Sequence, residues 1–139
     1  MVKNEFVTAI NCMDGRVQEP VLNWMKQRYN ALYVDMITEA GPNKLLRSDN
    51  KVLIENIYDR VRVSTDRHGS QYIAIAGHHD CAGYPVSAEK KKGKILDSVE
   101  LIESWDLGFK EIAGLYINDK WEVEIVCIKT ADPAVEAEA

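Results

Sequence analysis

The sequence predicts an α/β fold: a mainly parallel, open sheet of about five strands flanked by helices, with the last strand antiparallel. Apolar segments of strand length alternate with segments of helical periodicity along the 139 residues. Such alternation implies right-handed crossovers and therefore parallel neighbouring strands. The last two strand segments are joined through Asn118-Asp119, and a turn this tight makes the final strand antiparallel to its neighbour.

The first elements are a strand, a helix and a second strand. Residues 6–10 form a short apolar run, typical of a buried strand. Apolar side chains then recur at helical spacing between residues 17 and 29, which gives a helix with one apolar face. Residues 31–37 follow as the second strand.

A loop and a longer helix come next. Residues 39–43 contain Gly and Pro and predict a loop. Ser48 or Asp49 can then cap a helix, because either side chain offers an oxygen to an unpaired backbone N–H. The buried stripe of that helix falls within residues 54–61.

The second half of the chain contains the remaining elements. Residues 71–76 are almost continuously apolar, as in a central strand of a parallel sheet. A helix is expected over about residues 94–105, and strands over 111–117 and 121–129.

Composition excludes two classes of partner. The chain has 17 Lys and Arg against 22 Asp and Glu, a formal net charge of −5, whereas nucleic-acid binding requires clustered basic residues on one face. We interpret the basic run at residues 90–94 as a solvated helix start or loop. No apolar segment approaches the ~20 residues that span a bilayer. We therefore expect neither a nucleic-acid nor a membrane partner.

One domain accounts for the length. With 46% hydrophobic residues, residues 1–130 are expected to form a single α/β domain, and residues 131–139 a flexible acidic C-terminal tail with little to pack. The first residues lack the pattern of a secretory signal, and three cysteines suit a disulfide framework poorly. A cytoplasmic location is therefore expected.

Two short motifs follow two of the predicted strands. Cys12 comes after the first strand, and His78 and Cys81 come after the strand at residues 71–76. Because ligands of parallel sheets collect at the carboxyl ends of strands, we expect these side chains to bind Zn²⁺ as two thiolates and a neutral imidazole. Three protein ligands leave a fourth position for water, which is the arrangement of catalytic zinc. The sequence therefore predicts a zinc enzyme, and the domain is expected to be zinc-binding.

An acidic and a basic residue follow Cys12. Two thiolates cancel the charge of Zn²⁺, so such a centre polarises bound water less than a three-histidine site and needs help from nearby groups. Asp14 is expected to orient the hydroxide, while Arg16 holds its carboxylate through a charge-assisted pair. Without Arg16, Asp14 could move onto the metal, and this competition predicts activity that rises with pH.

These motifs resemble those of the β-class carbonic anhydrases. Cys-x-Asp-x-Arg at residues 12–16 and Gly-His-x-x-Cys at 77–81 are similar to the two metal-binding motifs of that family. Ala40-Gly41 resembles the loop after its second strand, and residues 112–117 resemble the start of its last hairpin.

The resemblance implies a carbonate dehydratase, a zinc lyase that hydrates carbon dioxide reversibly to bicarbonate by a metal-bound hydroxide. It implies Cys12, His78 and Cys81 as the metal ligands and Asp14 with Arg16 as the catalytic dyad. Zn²⁺ is the only cofactor implied, and CO₂ and bicarbonate are the substrates. Because family members usually dimerise and an open sheet has edges to cover, a homodimer or higher homo-oligomer is expected.

Two departures from the family pattern leave alternatives open. Thr38-Glu39 stands where the family carries Arg-Asn, which reverses the local charge, and Ala82 stands where Gly usually follows the second Cys. One alternative is a hydrolase of a CO₂-like molecule, such as carbonyl sulfide or carbon disulfide, on the same site. The other is a non-catalytic zinc-binding protein in which Asp14 permanently closes the fourth position.

The other histidine, cysteine and tryptophan residues are expected to have structural rather than catalytic roles. His79 is expected to be an exposed loop histidine, with proton transfer to solvent as the less favoured alternative. Cys127 lies in an apolar run and is expected to act as a small hydrophobe. Trp24, Trp105 and Trp121 are expected in the core or a dimer interface rather than in contact with ligands.

Overall fold

The structure, a computed structural model, describes residues 4–131 and confirms the predicted fold class. The strands of this part are β1 (Asn4–Cys12), β2 (Ala31–Glu39), β3 (Tyr72–His78), β4 (Glu111–Ile117) and β5 (Val123–Thr130). The α-helices are α1 (Gln18–Tyr29), α2 (Pro42–Leu46), α3 (Lys51–His68) and α4 (Ala88–Ser104). The predicted acidic tail lies outside the described residues, apart from Ala131. None of the described helices is long and apolar enough to cross a membrane.

The order of the strands determines where a site can form. The sheet runs β2-β1-β3-β4-β5, parallel throughout except for the antiparallel pair β4–β5. From β1 the chain goes to β2 on one side and then crosses to β3 on the other. The carboxyl ends of β1 and β3 therefore flank a topological switch point, where open α/β sheets bind their ligands. Cys12 and His78 are the last residues of these two strands.

The sheet has an apolar layer on each face, because side chains along a strand alternate between the two faces. On one face α1 packs through Val21 and Met25, and on the other α3 and α4 pack through residues such as Ile57 and Ile102. Both faces of the central strand β3 are covered, which explains its nearly continuous apolar sequence.

Two local predictions around the start of α3 were wrong. Its N-cap is Asn50, whose side-chain oxygen accepts from the Leu53 N–H at 3.1 Å, rather than Ser48 or Asp49. The loop expected over residues 39–43 ends early, because Pro42 opens the short helix α2. Proline is favoured there, since the first helical N–H has no intrahelical partner to lose.

Two further boundaries differ in the second half. Helix α4 begins at Ala88 rather than near Lys94, and its N-cap Ser87 accepts from the Lys90 N–H. Strand β5 begins at Val123, because the preceding Trp121 has a left-handed backbone with a φ of 62°. The earlier helix start places part of the basic run on a packed helix face.

Candidate metal centre

Three potential metal ligands lie together at the carboxyl ends of β1 and β3. The ligand atoms of Cys12, His78 and Cys81 all lie within 4.8 Å of one another, and each residue is at most 4% exposed. The two sulfur atoms are 3.8 Å apart. Two thiolates bound about 2.3 Å from a tetrahedral zinc ion would be separated by about 3.8 Å. The sulfur spacing therefore fits a shared metal ion.

His78 has its lone pair in the place that such an ion requires. Its Nδ1–H donates to the backbone carbonyl of His79 at 2.6 Å, and because a carbonyl only accepts, the proton must lie on Nδ1. The lone pair is then on Nε2, which is buried and has no hydrogen-bond partner among the described residues. In metal-binding histidines, a hydrogen bond donated by the ring nitrogen that does not bind the metal commonly fixes the tautomer in this way. The donor set thus fits Zn²⁺.

The pKa values of the two thiols are shifted in opposite directions. The pKa of Cys12 is lowered mainly because the Cys81 thiol donates a hydrogen bond to it, and the backbone N–H groups of Gly41 and Asp14 contribute further. The pKa of Cys81 is raised, because its thiol is the donor in that hydrogen bond and because it is buried. The directions of the two shifts make Cys12 the thiol of the pair that loses its proton first.

Asp14 and Arg16 form a two-point ion pair beside these ligands. One carboxylate oxygen, Oδ1, accepts from the Arg16 backbone N–H at 2.9 Å and from Nε at 3.1 Å, and Oδ2 accepts from Nη2 at 2.7 Å. These hydrogen bonds lower the pKa of Asp14 to about 2. Asp14 also caps the 3₁₀ turn Gly15–Val17 that leads into α1. The carboxylate is therefore ionised and fixed at neutral pH.

Arg16 also contacts two residues that the sequence motifs did not place in the site. Its Nη1 lies 3.3 Å from Asp80 Oδ2, and its guanidinium carbon lies 4.4 Å from the ring centroid of Trp121. Trp121 packs against the core as expected, but it also faces the dyad. Nothing in the local sequence around Trp121 indicates this contact.

A buried lysine lies behind the thiols, where the sequence predicted a solvated residue. Lys91 is 2% exposed, its Nζ donates to the Tyr84 carbonyl at 2.6 Å, and the ammonium lies 4.3 Å from the Tyr84 ring centroid. Burial lowers the pKa of Lys91, whereas Cys81 and Cys12 favour its charged form. The helical spacing of Lys91 with Ile95 was a signal for this placement.

The charge of Glu39, one of the departures from the family pattern, is compensated. Its carboxylate accepts a hydrogen bond from Nη2 of Arg60 in an ion pair, and its backbone carbonyl accepts from the Met13 N–H at 3.0 Å.

On the opposite side of the site, a surface cavity of about 380 Å³ opens beside Cys81, with His79 and Tyr116 in its wall. This cavity gives a small molecule access close to the ligands.

Comparisons with known proteins identify a matching family and a shared fold. A family model described as "Putative carbonic anhydrase" matches residues 2–127. Comparison with curated proteins gave no significant match.

Solved structures of carbonic anhydrases share the fold. One, from a study of two tetrameric β-carbonic anhydrases of the ascomycete Sordaria macrospora, has a TM-score of 0.64 at 12% identity, covering 91% of this chain and 83% of that one. Isoform I of the β-carbonic anhydrase of Trichomonas vaginalis has a TM-score of 0.57 at 20% identity, covering 88% and 83%. A carbonic anhydrase from Glaciozyma antarctica has a TM-score of 0.59 at 14% identity, covering 86% and 81%. At these identities the likeness establishes the fold.

Proposed function

The chain belongs to this carbonic anhydrase family, and we propose that it catalyses the reversible hydration of carbon dioxide to bicarbonate with Zn²⁺ as its cofactor. The observation that carries the proposal is the buried group of Cys12, His78 and Cys81 beside the fixed carboxylate of Asp14. A purely structural zinc site usually has four protein ligands, whereas three ligands leave one position for chemistry.

Each residue of the site has a proposed role. Cys12, Cys81 and His78 would hold the ion, which when bound supplies a water molecule of lowered pKa as the nucleophile. Asp14 would accept a hydrogen bond from the attacking hydroxyl group and thereby direct its lone pair toward the carbon of CO₂. Arg16 would keep the carboxylate ionised and correctly oriented, since it pairs with both oxygens. Oδ2 accepts only from Nη2 and therefore retains acceptor capacity for a reactant.

The wider properties of the protein follow the same proposal. We propose that residues 1–130 act as one zinc-binding domain in the cytoplasm and that the chain forms a homo-oligomer. The Sordaria macrospora enzymes are described as tetrameric. In this chain the edge strand β2 exposes Leu32 and Tyr33 to 47% and 52%, and an apolar edge of this kind benefits from a partner. Light scattering of the purified protein would show the subunit number.

The test is stopped-flow CO₂ hydration by protein of measured zinc content, at about pH 7 and again near pH 9. Turnover that requires zinc and increases with pH is expected. Carbonyl sulfide and carbon disulfide are assayed in parallel, and turnover of either in place of CO₂ would support the hydrolase alternative. Full zinc occupancy without any turnover would instead indicate a non-catalytic zinc protein.

Two matched substitutions test the role of the dyad. Asp14→Asn should retain zinc but lose most turnover, because an amide cannot replace the ionised acceptor; removal of such a group typically costs about 10²-fold or more. Asp66→Asn is the control, since Asp66 forms a comparable ion pair with Arg62 on the exposed surface of α3. Equal turnover in both variants would contradict the proposed role of Asp14.

A further inference from the structure

Arg16 has more partners than its pairing with Asp14 requires. Asp80, in the loop after β3, accepts from Arg16 through both its side chain and its backbone carbonyl, at 3.3 and 3.2 Å. Trp121, in the turn between β4 and β5, covers the guanidinium with its ring at 4.4 Å. Two separate loops therefore converge on one side chain, which lies in the 3₁₀ turn after β1.

Both of these partners have unusual backbone conformations. Asp80 and Trp121 are non-glycine residues with left-handed φ values of 56° and 62°. Asp adopts this region fairly readily, but it is rare for a side chain as bulky as Trp. Such a conformation persists only where the surrounding structure imposes it, and it is commonest at functional sites.

The turn that carries Trp121 is held by a dense set of hydrogen bonds. The Asn118 side-chain oxygen accepts from the backbone N–H groups of Lys120 and Glu122 at 2.9 and 3.1 Å. The Trp121 N–H donates to the Asn118 carbonyl at 2.9 Å. This arrangement fixes the left-handed residue and directs its indole toward Arg16.

The two loops are also linked to each other. The His79 N–H, next to Asp80, donates to the carbonyl of Ile117 at 2.9 Å, and Ile117 immediately precedes the Trp121 turn. Asp80 and Trp121 are therefore positioned by one connected backbone unit rather than by independent flexible loops.

We infer that Asp80 and Trp121 form a clamp that holds Arg16, and through it Asp14, in the paired orientation beside the metal site. Both are positioning residues, because they contact Arg16 and act on the reaction only through it. The catalytic consequence rests on the proposed function, but the clamp itself is a property of the folded chain. When the clamp is loosened, Asp14 separates from Arg16 more often and can compete for the fourth metal position.

The experiment measures access to that fourth position without measuring turnover. Co²⁺ replaces Zn²⁺ as a spectroscopic probe, and azide is titrated while the visible absorption of the cobalt centre is followed. Trp121→Leu keeps an apolar side chain but removes the aromatic face, and it should weaken azide binding by about fivefold, the equivalent of a typical cation–π contact. Trp121→Phe retains a π face and should restore most of the affinity.

Two further variants show whether the effect is specific to the clamp. Trp24→Leu removes another indole–guanidinium contact, that of Trp24 with Arg28 at 5.5 Å, and should leave azide affinity unchanged. Asp80→Asn tolerates the same backbone conformation but loses the charge, and it should weaken azide binding as Trp121→Leu does. If Trp121→Leu fails to fold, which circular dichroism would reveal, Asp80→Asn and Trp121→Phe still test the clamp.

A double-mutant cycle identifies the route of the effect. In an Asp14→Asn background, Trp121→Leu should no longer change azide affinity, because the competing carboxylate is absent. An equal loss in that background would overturn the inference, since Trp121 would then act on the site directly. The inference would also be overturned if azide affinity were unchanged in both Trp121→Leu and Asp80→Asn, or if the chain bound no cobalt. Cobalt binding and a positive cycle without CO₂ hydration would instead overturn only the proposed function.

Discussion

The close approach of two backbone segments at Gly83 leads to a quantitative prediction. A Cβ at this position would lie 2.6 Å from the Ala40 carbonyl carbon and 2.7 Å from the Gly41 nitrogen, and neither backbone atom can rotate away. Overpacking typically costs about 1–3 kcal/mol, and a clash with backbone places Gly83→Ala near about 3 kcal/mol. For a chain of this size that is a fall of roughly 10 °C in Tm.

The same substitution should weaken the metal site. Displacing Gly41 removes its N–H from the Cys12 sulfur, where it helps to lower the thiol pKa. A hydrogen bond to a charged group contributes about 1.5 kcal/mol or more, so zinc affinity should fall about tenfold. Urea denaturation measures the stability, and competition with a chromogenic chelator measures the affinity.

Gly93→Ala provides the control for Gly83→Ala. Gly93 lies within α4, and a Cβ there would meet no atom within 4 Å. Alanine should therefore stabilise the protein by about 0.5–1 kcal/mol through helix propensity, with no change in zinc affinity. The reasoning is refuted if the free energy of unfolding of Gly83→Ala lies within about 0.5 kcal/mol of that of the unsubstituted protein, because the contact would then relax at little cost.

Three further outcomes are expected. Zinc binding at about pH 7 should release about one cysteine proton, since the pKa shifts favour a thiolate on Cys12 and a thiol on Cys81 that zinc must deprotonate. Calorimetry in buffers of different ionisation enthalpy counts the released protons, and a count of two or of none would contradict this. Lys91→Met should lower the free energy of unfolding of the metal-free protein by at most about 1 kcal/mol, because it removes a buried amine whose pKa is already lowered by burial. A decrease above about 3 kcal/mol in urea denaturation would show instead that the ammonium stabilises the fold. Cys127, whose pKa is raised by burial, should react with iodoacetamide at about pH 8 at less than about a tenth of the rate of an exposed cysteine, as mass spectrometry would show; rapid labelling would contradict this.

Hydrophobic patterning was sufficient for the fold, but less so for the ends of the elements. Strand β4 occupies the predicted residues 111–117, where apolar side chains continue to the end of the strand. Strands β1 and β3 extend beyond their apolar runs to Cys12 and His78. The backbone ladder and the burial continue there although the residues are no longer all apolar, so a hydrophobic pattern alone stops too early.

The sequence brought together the residues that the strand ends position, but not those that depend on turn geometry. Cys12, His78 and Cys81 could be grouped because parallel strands end at one edge of the sheet. Trp121 reaches Arg16 through a left-handed residue that has no sequence signature in a tryptophan. Such contacts follow from the path of a particular turn rather than from residue type.

The electrostatics of the site also differ from what the motifs suggested. Because Arg60 pairs with Glu39, the exchange of Arg-Asn for Thr-Glu does not add an uncompensated negative charge, and the exchange by itself gives little reason to expect a different substrate. The charged group that the motifs did not indicate is Lys91, which is buried and interacts electrostatically with Cys81 and Cys12. Two thiolates would cancel the charge of a bound Zn²⁺, so Lys91 in its protonated form would add a positive charge to the centre at a low-dielectric position. Part of the electrostatic assistance expected from Asp14 and Arg16 can therefore come from behind the ligands.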